Sequence, residues 1–344
     1  MSNTTTGAGE EAQQTGKATS NQYPPRLHND VYPFIYPSKF RGSLQDKVAV
    51  VTGAAGTIGK ALAECFAVAG AKLVLVYNRT VPPKSLEEQC VKLGAASVAF
   101  VQCDVSKLEA CEGLMQQVLG KFGTIDILVN NAGSNDLGPL HEQDPRKFIH
   151  DLAVNLHGPY YLMRFALPVF RAQRSGCVLN IASRAGTVDI PYSTSYCASK
   201  AALINLTGCT QKELDVEGFD DVHLYALHPG GIKSEMTLKK YSEESLQNLP
   251  PHVRAGMANW LDMYEDSPYL NGMVCVALAT GRAKEGLRGK YFDVGQDLED
   301  VIAQTSALKA DPELYSLHTT FLGGLSNGVP TERPRDKPFA FPGF

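Results

Sequence analysis

Val48-Ala49-Val50-Val51-Thr52-Gly53-Ala54-Ala55-Gly56-Thr57-Ile58-Gly59 is the stretch that decides how this chain folds. The valine-rich half reads as a buried strand, the glycines as a turn, and Ala61, Leu62, Cys65 and Phe66 repeat at helical spacing beyond it. Strand, glycine-rich turn and helix in that order bring unpaired N–H groups and the positive end of a helix dipole against bare backbone, which is a seat for a pyrophosphate. A glycine cluster after a strand is also an ordinary tight turn. The second strand, Leu73 to Tyr77, follows at the distance a nucleotide-binding unit requires and favours the first reading.

Working outward, strands are expected near 48–52, 73–77, 98–102, 126–130, 177–182, 223–227 and 289–293, with helical stretches between them. Such alternation implies an α/β domain with a parallel sheet covered on both faces. Right-handed crossovers and a cofactor turn after the first strand then give a doubly wound sheet of about seven strands, Rossmann-like, whose ligands lie at the carboxyl ends of the strands. One helix is expected from Lys147 to Arg174, carrying Asn155; another starts near Tyr196 and runs to about Leu214.

The run Tyr196-Cys-Ala-Ser-Lys200 carries the chemistry. Positions i and i+4 share a helix face, so phenol and ammonium would stand one turn apart. A free tyrosine has a pKa of about 10, and a nearby cation lowers it, which would let Tyr196 exchange a proton with an alcohol or carbonyl oxygen. Such a pair arises by chance about once in a chain this rich in Tyr and Lys. Ser183 upstream, and Asn155 before it, make it informative.

With these residues in order, the chain resembles the short-chain dehydrogenase/reductase family from about Ser43 to Asp297. Thr52, Gly53, Thr57 and Gly59 match the family's cofactor turn, Asp104 follows the third strand, and Asn130, Asn131, Ala132 and Gly133 end the fourth. Asn155 sits in Val-Asn-Leu, Ser183 in Asn-Ile-Ala-Ser, and Pro229-Gly230 ends the sixth strand. Thr57 stands where the family usually has a glycine, and Ala182 precedes the Ser motif; neither change removes a catalytic atom.

The resemblance implies a catalytic set of Asn155, Ser183, Tyr196 and Lys200. Tyr196 would be the general acid and Ser183 would hold the carbonyl oxygen. Lys200 would bind the nicotinamide ribose and lower the phenol pKa, with Asn155 keeping a water relay behind it. The cofactor would meet Gly53, Thr57, Ile58, Gly59, Asp104, Val105, Asn131, Ala132, Gly133, Tyr196, Lys200, Pro229, Gly230, Ile232 and Ser234. In the family the two long helices pair with their copies in a second subunit, which implies a homodimer or homotetramer.

Cofactor choice is read at the end of the second strand. An acid there would suit the ribose 2′-hydroxyl of NAD, but this chain has Tyr77, Asn78, Arg79 and Thr80. Arg79 could pair with a 2′-phosphate, with Lys84 a second candidate, so NADP(H) is expected over NAD(H).

The chain has 344 residues and a formal net charge of −4 with acids and bases interspersed, so no basic stripe points to nucleic acid. The 8 cysteines lack paired zinc spacing and read as reduced thiols, Cys197 as a packing residue; the 8 histidines show no metal spacing either. The first residues are polar without an apolar core and no apolar run is long enough to span a bilayer, so a cytoplasmic protein without membrane contact is expected. Three segments are expected: 1–42, polar and disordered to residue 22, then an aromatic-Pro arm that wraps the surface; the catalytic domain, 43–297; and a helical, Pro-rich extension, 298–344.

Several residues keep two readings. Arg184 would meet an anionic substrate or make a local ion pair. His228 reads as a packing or hydrogen-bonding residue. Met257, Trp260, Leu261 and Tyr264 recur at helical spacing and would either dock a helix or line a pocket. In the extension, Leu298, Val301, Ile302 and Leu308 suggest one amphipathic helix; Asp311, Pro312, Leu314, Leu317 and Phe321 suggest a second, closed by Gly323-Gly324. The tail is expected to pack beside 233–267, as a lid or as an interface strap. The arm, Leu-Arg-Gly-Lys-Tyr at the seventh strand and the acidic helix after it resemble a fungal branch of the family associated with secondary metabolism. The expected activity is NADPH-dependent reduction of a carbonyl, or oxidation of the alcohol, on a medium-sized organic molecule. A lyase or isomerase on this fold and a non-catalytic nucleotide-binding protein are the alternatives.

Overall fold

The structure is a computed structural model that describes residues 22–240, 246–247, 249–319 and 321. Its strands are β1 (Val48–Thr52), β2 (Lys72–Tyr77), β3 (Ser97–Gln102), β4 (Ile127–Asn130), β5 (Gly176–Ile181), β6 (Val222–His228) and β7 (Tyr291–Asp293). They form one sheet in the order β3-β2-β1-β4-β5-β6-β7. Every neighbouring pair is parallel. β1, β4 and β6 bury nearly every residue, as strands covered on both faces must.

Helices cover both faces: α1 (Thr57–Val68), α2 (Lys84–Leu93), α3 (Leu108–Phe122), α4 (Pro145–Leu152), α5 (Gly158–Gln173), α6 (Thr194–Val216), α7 (Glu235–Lys240), α8 (Pro251–Ala258), α9 (Pro268–Ala279), α10 (Lys284–Leu287), α11 (Leu298–Ala303) and α12 (Thr305–Ala310). On one face α1 and α9 pack so closely that a Cβ added to Gly272 would lie 2.5 Å from Cys65 Sγ. α9 buries Leu270 through Leu278 and is apolar all round, the mark of a helix inside a core. The other face buries α3 and α5 residues such as Leu114, Val118, Leu162 and Phe170.

The expected helix from Lys147 to Arg174 is α4 and α5 joined by a π-helical turn, Ala153–His157, which carries Asn155. Asp144 caps α4 by accepting from the Arg146 amide, and Pro145 takes the first helical position.

The N-terminal arm joins the core. Tyr32, Ile35, Phe40 and Leu44 are buried with Leu298 and Val301 of α11 in a single cluster. The Tyr32 hydroxyl accepts the Leu298 amide at 2.7 Å, and Arg26 forks onto Asp300 at 2.8 Å. Among the described residues the second helix expected in the extension does not form: residues 312–315 are turns, and 317–319 are irregular. The Tyr291 amide donates to the Tyr315 carbonyl at 2.8 Å, and Lys290 Nζ donates to the carbonyls of Pro312 and Leu314 at 3.2 and 2.6 Å. These carbonyls serve the open edge of β7 instead of a helix, covering an otherwise exposed sheet edge. This part of the tail therefore packs on β7 and not beside 233–267. Gly323-Gly324 and the prolines at 330, 334, 338 and 342 lie outside the described residues.

Candidate active site

Strand order reverses between β1 and β4, so a crevice opens at their carboxyl ends. Thr52 Oγ1 accepts the amides of Asn131 and Ala132 at 2.9 and 3.0 Å, while Asn131 Nδ2 donates to the Thr52 carbonyl at 2.8 Å. The two strand ends are thereby locked side by side. Gly53 has φ +65, and a Cβ there would lie 3.0 Å from Ala132 Cα; a Cβ on Gly59 would lie 2.1 Å from the Gly53 carbonyl oxygen. Only glycine fits at these two positions.

Gly56 caps α1 without a side-chain hydrogen bond. The first amides of α1 are thus left without a capping side chain, beside half-exposed Thr57 and Ile58, the latter on the cavity wall, a donor set that fits a pyrophosphate. Thr57 is accommodated as the first residue of α1, and its hydroxyl makes no hydrogen bond among the described residues. Asn78, Arg79 and Thr80 are exposed just beyond β2, and Asp104 and Val105 follow β3.

Ser183, Tyr196 and Lys200 come together on the wall of a cavity of about 460 Å³ that also touches Gly133, Pro229, Gly230, Ile232 and Ser234. Ser183 follows β5 in extended conformation. Its hydroxyl is hydrogen-bonded to the Tyr196 phenol and accepts the Ala185 amide at 3.1 Å. Lys200 Nζ is buried, donates to the Ile181 carbonyl at 2.7 Å and lies 5.6 Å from the centroid of the Tyr196 ring. Asn155 is wholly buried: its Nδ2 donates to the Ser134 carbonyl at 2.7 Å and to Ser199 Oγ at 3.1 Å, and its Oδ1 accepts the Ser134 amide at 2.9 Å.

The expected lowering of the phenol does not occur in the protein alone. Desolvation pushes Tyr196 up to about 12, against the opposing Ser183 hydrogen bond, and pulls Lys200 down to about 8. A site closed enough to bring the pair together also removes the water that would stabilise either charge. The phenol is thus held in the protonated form that a general acid needs.

Arg184 pairs with Asp293 at 2.7 Å, the local alternative of its two readings. His228 Nδ1 accepts the Arg184 amide at 3.2 Å, and burial pulls its imidazole down to about 4, so it is neutral. Met257 is buried with Leu246 and Leu249, which docks α8, while Tyr264 lines the cavity. The Trp260 side chain lies outside the described residues. Asp266 was not foreseen. Its Oδ2 accepts the Gly231 amide at 2.6 Å, tying the loop after β6 to the end of the 233–267 segment. A Cβ on Gly230, at φ +95, would stand 2.7 Å from that oxygen. Asp151, Ser134 and Ser195 were also missed; Asp151 is one of several polar residues on α4, and nothing local marks it as buried.

A crevice at the switch point of a parallel sheet, a glycine-lined helix N-terminus and a Ser-Tyr-Lys wall define a nucleotide-dependent oxidoreductase. The profile described as short chain dehydrogenase matches residues 47–245, more than half of the chain, and the chain belongs to that family, whose members use a nicotinamide cofactor. It is 31% identical over 279 residues to a short chain dehydrogenase of Pseudocercospora fijiensis, covering 80% of this chain and 88% of that protein. It is 35% identical over 203 residues to the 11-beta-hydroxysteroid dehydrogenase A of Sesamum indicum, covering 59% of this chain and 57% of that protein's length. Among solved structures, a metagenomic short-chain oxidoreductase in complex with NADP superposes with a TM-score of 0.59 at 30% identity, over 74% of this chain and 99% of that one. A short-chain dehydrogenase/reductase from Burkholderia xenovorans gives 0.64 at 25% identity, over 77% and 98%. The chain is an oxidoreductase of CH–OH and C=O groups. No helix among the described residues is long and apolar enough to cross a membrane.

Proposed function

We propose that this protein is an NADP(H)-dependent carbonyl reductase, running in reverse as an alcohol dehydrogenase, on a medium-sized organic substrate. The observation that carries the reading is the Ser183 hydroxyl joined to a protonated Tyr196 phenol on the wall of a cavity of about 460 Å³, with Lys200 facing the ring. When bound, the nicotinamide supplies a hydride to the carbonyl carbon. Ser183 orients the carbonyl oxygen, and Tyr196 gives it the phenolic proton, leaving a phenolate that the Lys200 ammonium stabilises. Asn155 would support the water relay that restores the proton only indirectly, since its side chain is filled by Ser134 and Ser199 and does not line the cavity.

The α1 N-terminus with Gly53, Thr57, Ile58 and Gly59 would hold the pyrophosphate. Asp104 and Val105 would border the adenine, Asn131, Ala132 and Gly133 the ribose side, and Pro229, Gly230, Ile232 and Ser234 the carboxamide. NADP(H) is favoured because no acid ends β2, while Arg79 is exposed and makes no ion pair among the described residues. The NADP complex of the metagenomic relative agrees with that choice. Val188, Ile190, Met236 and Met263 give the cavity apolar walls beside polar Asn135 and Tyr264. That mixture suits a largely apolar ketone with a few hydroxyl or carbonyl groups, and a fungal metabolite agrees with the Pseudocercospora relative. A homodimer or homotetramer through α4–α5 and α6 is part of the proposal: Ile149 and Tyr160 are 58% and 48% exposed on the first of these surfaces.

The test is NADPH and NADH consumption across a panel of ketones, including steroid and polyketide carbonyls. Turnover with NADPH ahead of NADH is expected. Cofactor binding without turnover of any carbonyl would return the protein to the non-catalytic reading.

A further inference from the structure

Asp151 is 1% exposed and lies one turn before Asn155. Its carboxylate is filled by donors from two other parts of the chain. Oδ1 accepts the Ser134 hydroxyl at 2.6 Å; Oδ2 accepts the Asp136 amide at 2.9 Å and the Ser195 hydroxyl at 2.6 Å. Ser134 is also the residue whose amide and carbonyl are both held by Asn155. Ser195 immediately precedes Tyr196, and Ser199, which receives the other Asn155 hydrogen bond, donates to the Tyr196 carbonyl at 2.8 Å. Asp151 and Asn155 thus grip the same loop after β4 and the same first turns of α6, on either side of Tyr196.

A buried carboxylate is costly unless its oxygens are satisfied. Here they meet three donors, two of them side-chain hydroxyls whose sole described acceptor is this group. An asparagine could keep these contacts by turning its oxygen to the Asp136 amide and the Ser195 hydroxyl and donating its amide to the Ser134 oxygen, so only a side chain without polar atoms breaks the support cleanly. Fixing a proton donor to within a fraction of an ångström is what such a support contributes to catalysis.

We propose that Asp151 is a positioning residue, which sets the placement of Tyr196 over the cavity by holding Ser195 of the catalytic helix to Ser134 of the loop after β4. The kinetic arm of its test rests on the reductase reading above; a second arm does not. In Asp151→Ala, kcat for carbonyl reduction should fall roughly 10- to 100-fold while NADPH affinity is kept, because none of its partners belongs to the proposed cofactor seat. Ser195→Ala should lower kcat less, and should cost nothing further when added to Asp151→Ala, since both remove one connection. Independent, multiplying losses, or unchanged kcat per folded molecule with only a lowered Tm, would overturn the proposal.

The second arm needs no turnover and follows tyrosinate absorbance in a rapid-mixing pH jump, with the Tyr196 step identified by its loss in Tyr196→Phe. The groups acting on that phenol are Ser183, Tyr264, Cys197 and Asp151, with Lys200 across the ring. Loss of the Asp151 support should weaken the Ser183 hydrogen bond that lowers this phenol, an influence larger than the Asp151 charge, and so move the step to higher pH. A step that stays in place, or moves to lower pH as removal of the charge alone would give, overturns the proposal even if the enzyme reduces carbonyls. A wild-type protein that reduces none while the step moves would instead retire the reductase reading alone.

Discussion

Lys200 Nζ faces the Tyr196 ring from 5.6 Å while donating to the Ile181 carbonyl at 2.7 Å, so the amine is anchored to the end of β5 by a backbone acceptor. Each group is displaced from its ordinary value by burial, Tyr196 upward to about 12 and Lys200 downward to about 8. In the reductive direction this arrangement suits a site that must hold a proton until a substrate oxygen arrives and then bear the phenolate.

Tyr196→Phe removes the phenolic oxygen and nothing else. Carbonyl reduction should fall at least a thousandfold, on the order expected for loss of a general acid, while the NADPH dissociation constant changes little. Single-turnover kinetics with fluorescence titration of the cofactor would check both. Near-normal turnover would remove Tyr196 from the mechanism.

The pH profile should report Lys200 and not Tyr196. The value of kcat/KM follows groups on the free enzyme. Lys200 loses its proton as pH rises through about 8, whereas Tyr196 keeps its own to about 12. For reduction, kcat/KM should be level on the acid side of this window and fall by up to about tenfold per pH unit above it. A profile still level well above pH 9 or so would mean that Lys200 remains charged, held by a partner other than Ile181.

Lys200→Met should separate stability from activity. A lysine whose folded value is depressed from 10.5 to about 8 costs stability at neutral pH. Between those values the unfolded chain binds the proton more readily, so stability rises with pH across that window. The methionine variant should therefore be more stable than wild type by about 1–3 kcal/mol near neutrality, with the gap closing in alkali, and should be inactive. Urea unfolding at two pH values is the measurement. A destabilised variant would show that the hydrogen bond to Ile181 outweighs the buried charge.

Arg79→Asp should turn cofactor preference from NADPH toward NADH, since an acid suits a free 2′-hydroxyl and repels a phosphate. The ratio of kcat/KM for the two cofactors should move by at least roughly tenfold. If it does not, Lys84 at the start of α2 is the next candidate for the 2′-phosphate.

Much of this molecule could be read from the chain. The strand positions followed from valine-rich runs set between helical stretches, because a strand covered on both faces has no polar side to obscure it. That Ser183, Tyr196 and Lys200 meet on one wall was legible because it depends on the i, i+4 spacing of one helix and on the end of the strand before it. Asp151 was not, since only the convergence of Ser134, Asp136 and Ser195 distinguishes it from a solvated helix acid. The tail misled for a related reason. Asp311 and Pro312 make a sound helix start, but Asp311 Oδ1 accepts the Glu313 amide in a turn, and the carbonyls beyond are taken by Lys290 and Tyr291. Long-range competition for backbone acceptors is invisible to local spacing.

Asp297 should prove the most sensitive point of the N-terminal arm. Its buried carboxylate caps α11 by accepting the Glu299 amide at 2.9 Å, and it also meets His28 Nε2 at 2.8 Å and Arg26 at 3.2 Å. Asp297→Ala would remove the cap and leave both arm residues without this acceptor, a loss of about 3 kcal/mol by urea unfolding. Arg26→Ala should cost clearly less, because a guanidinium exposed to 62% exchanges its ion pairs for water. The arm also takes the Ser267 amide onto the Asn29 carbonyl at 2.7 Å, directly after Asp266 on the cavity wall. Asp297→Ala should therefore raise KM for a bulky substrate as well, while Arg26→Ala should not. Equal destabilisation by the two substitutions would show that the exposed fork onto Asp300, and not the buried cap, holds the arm in place.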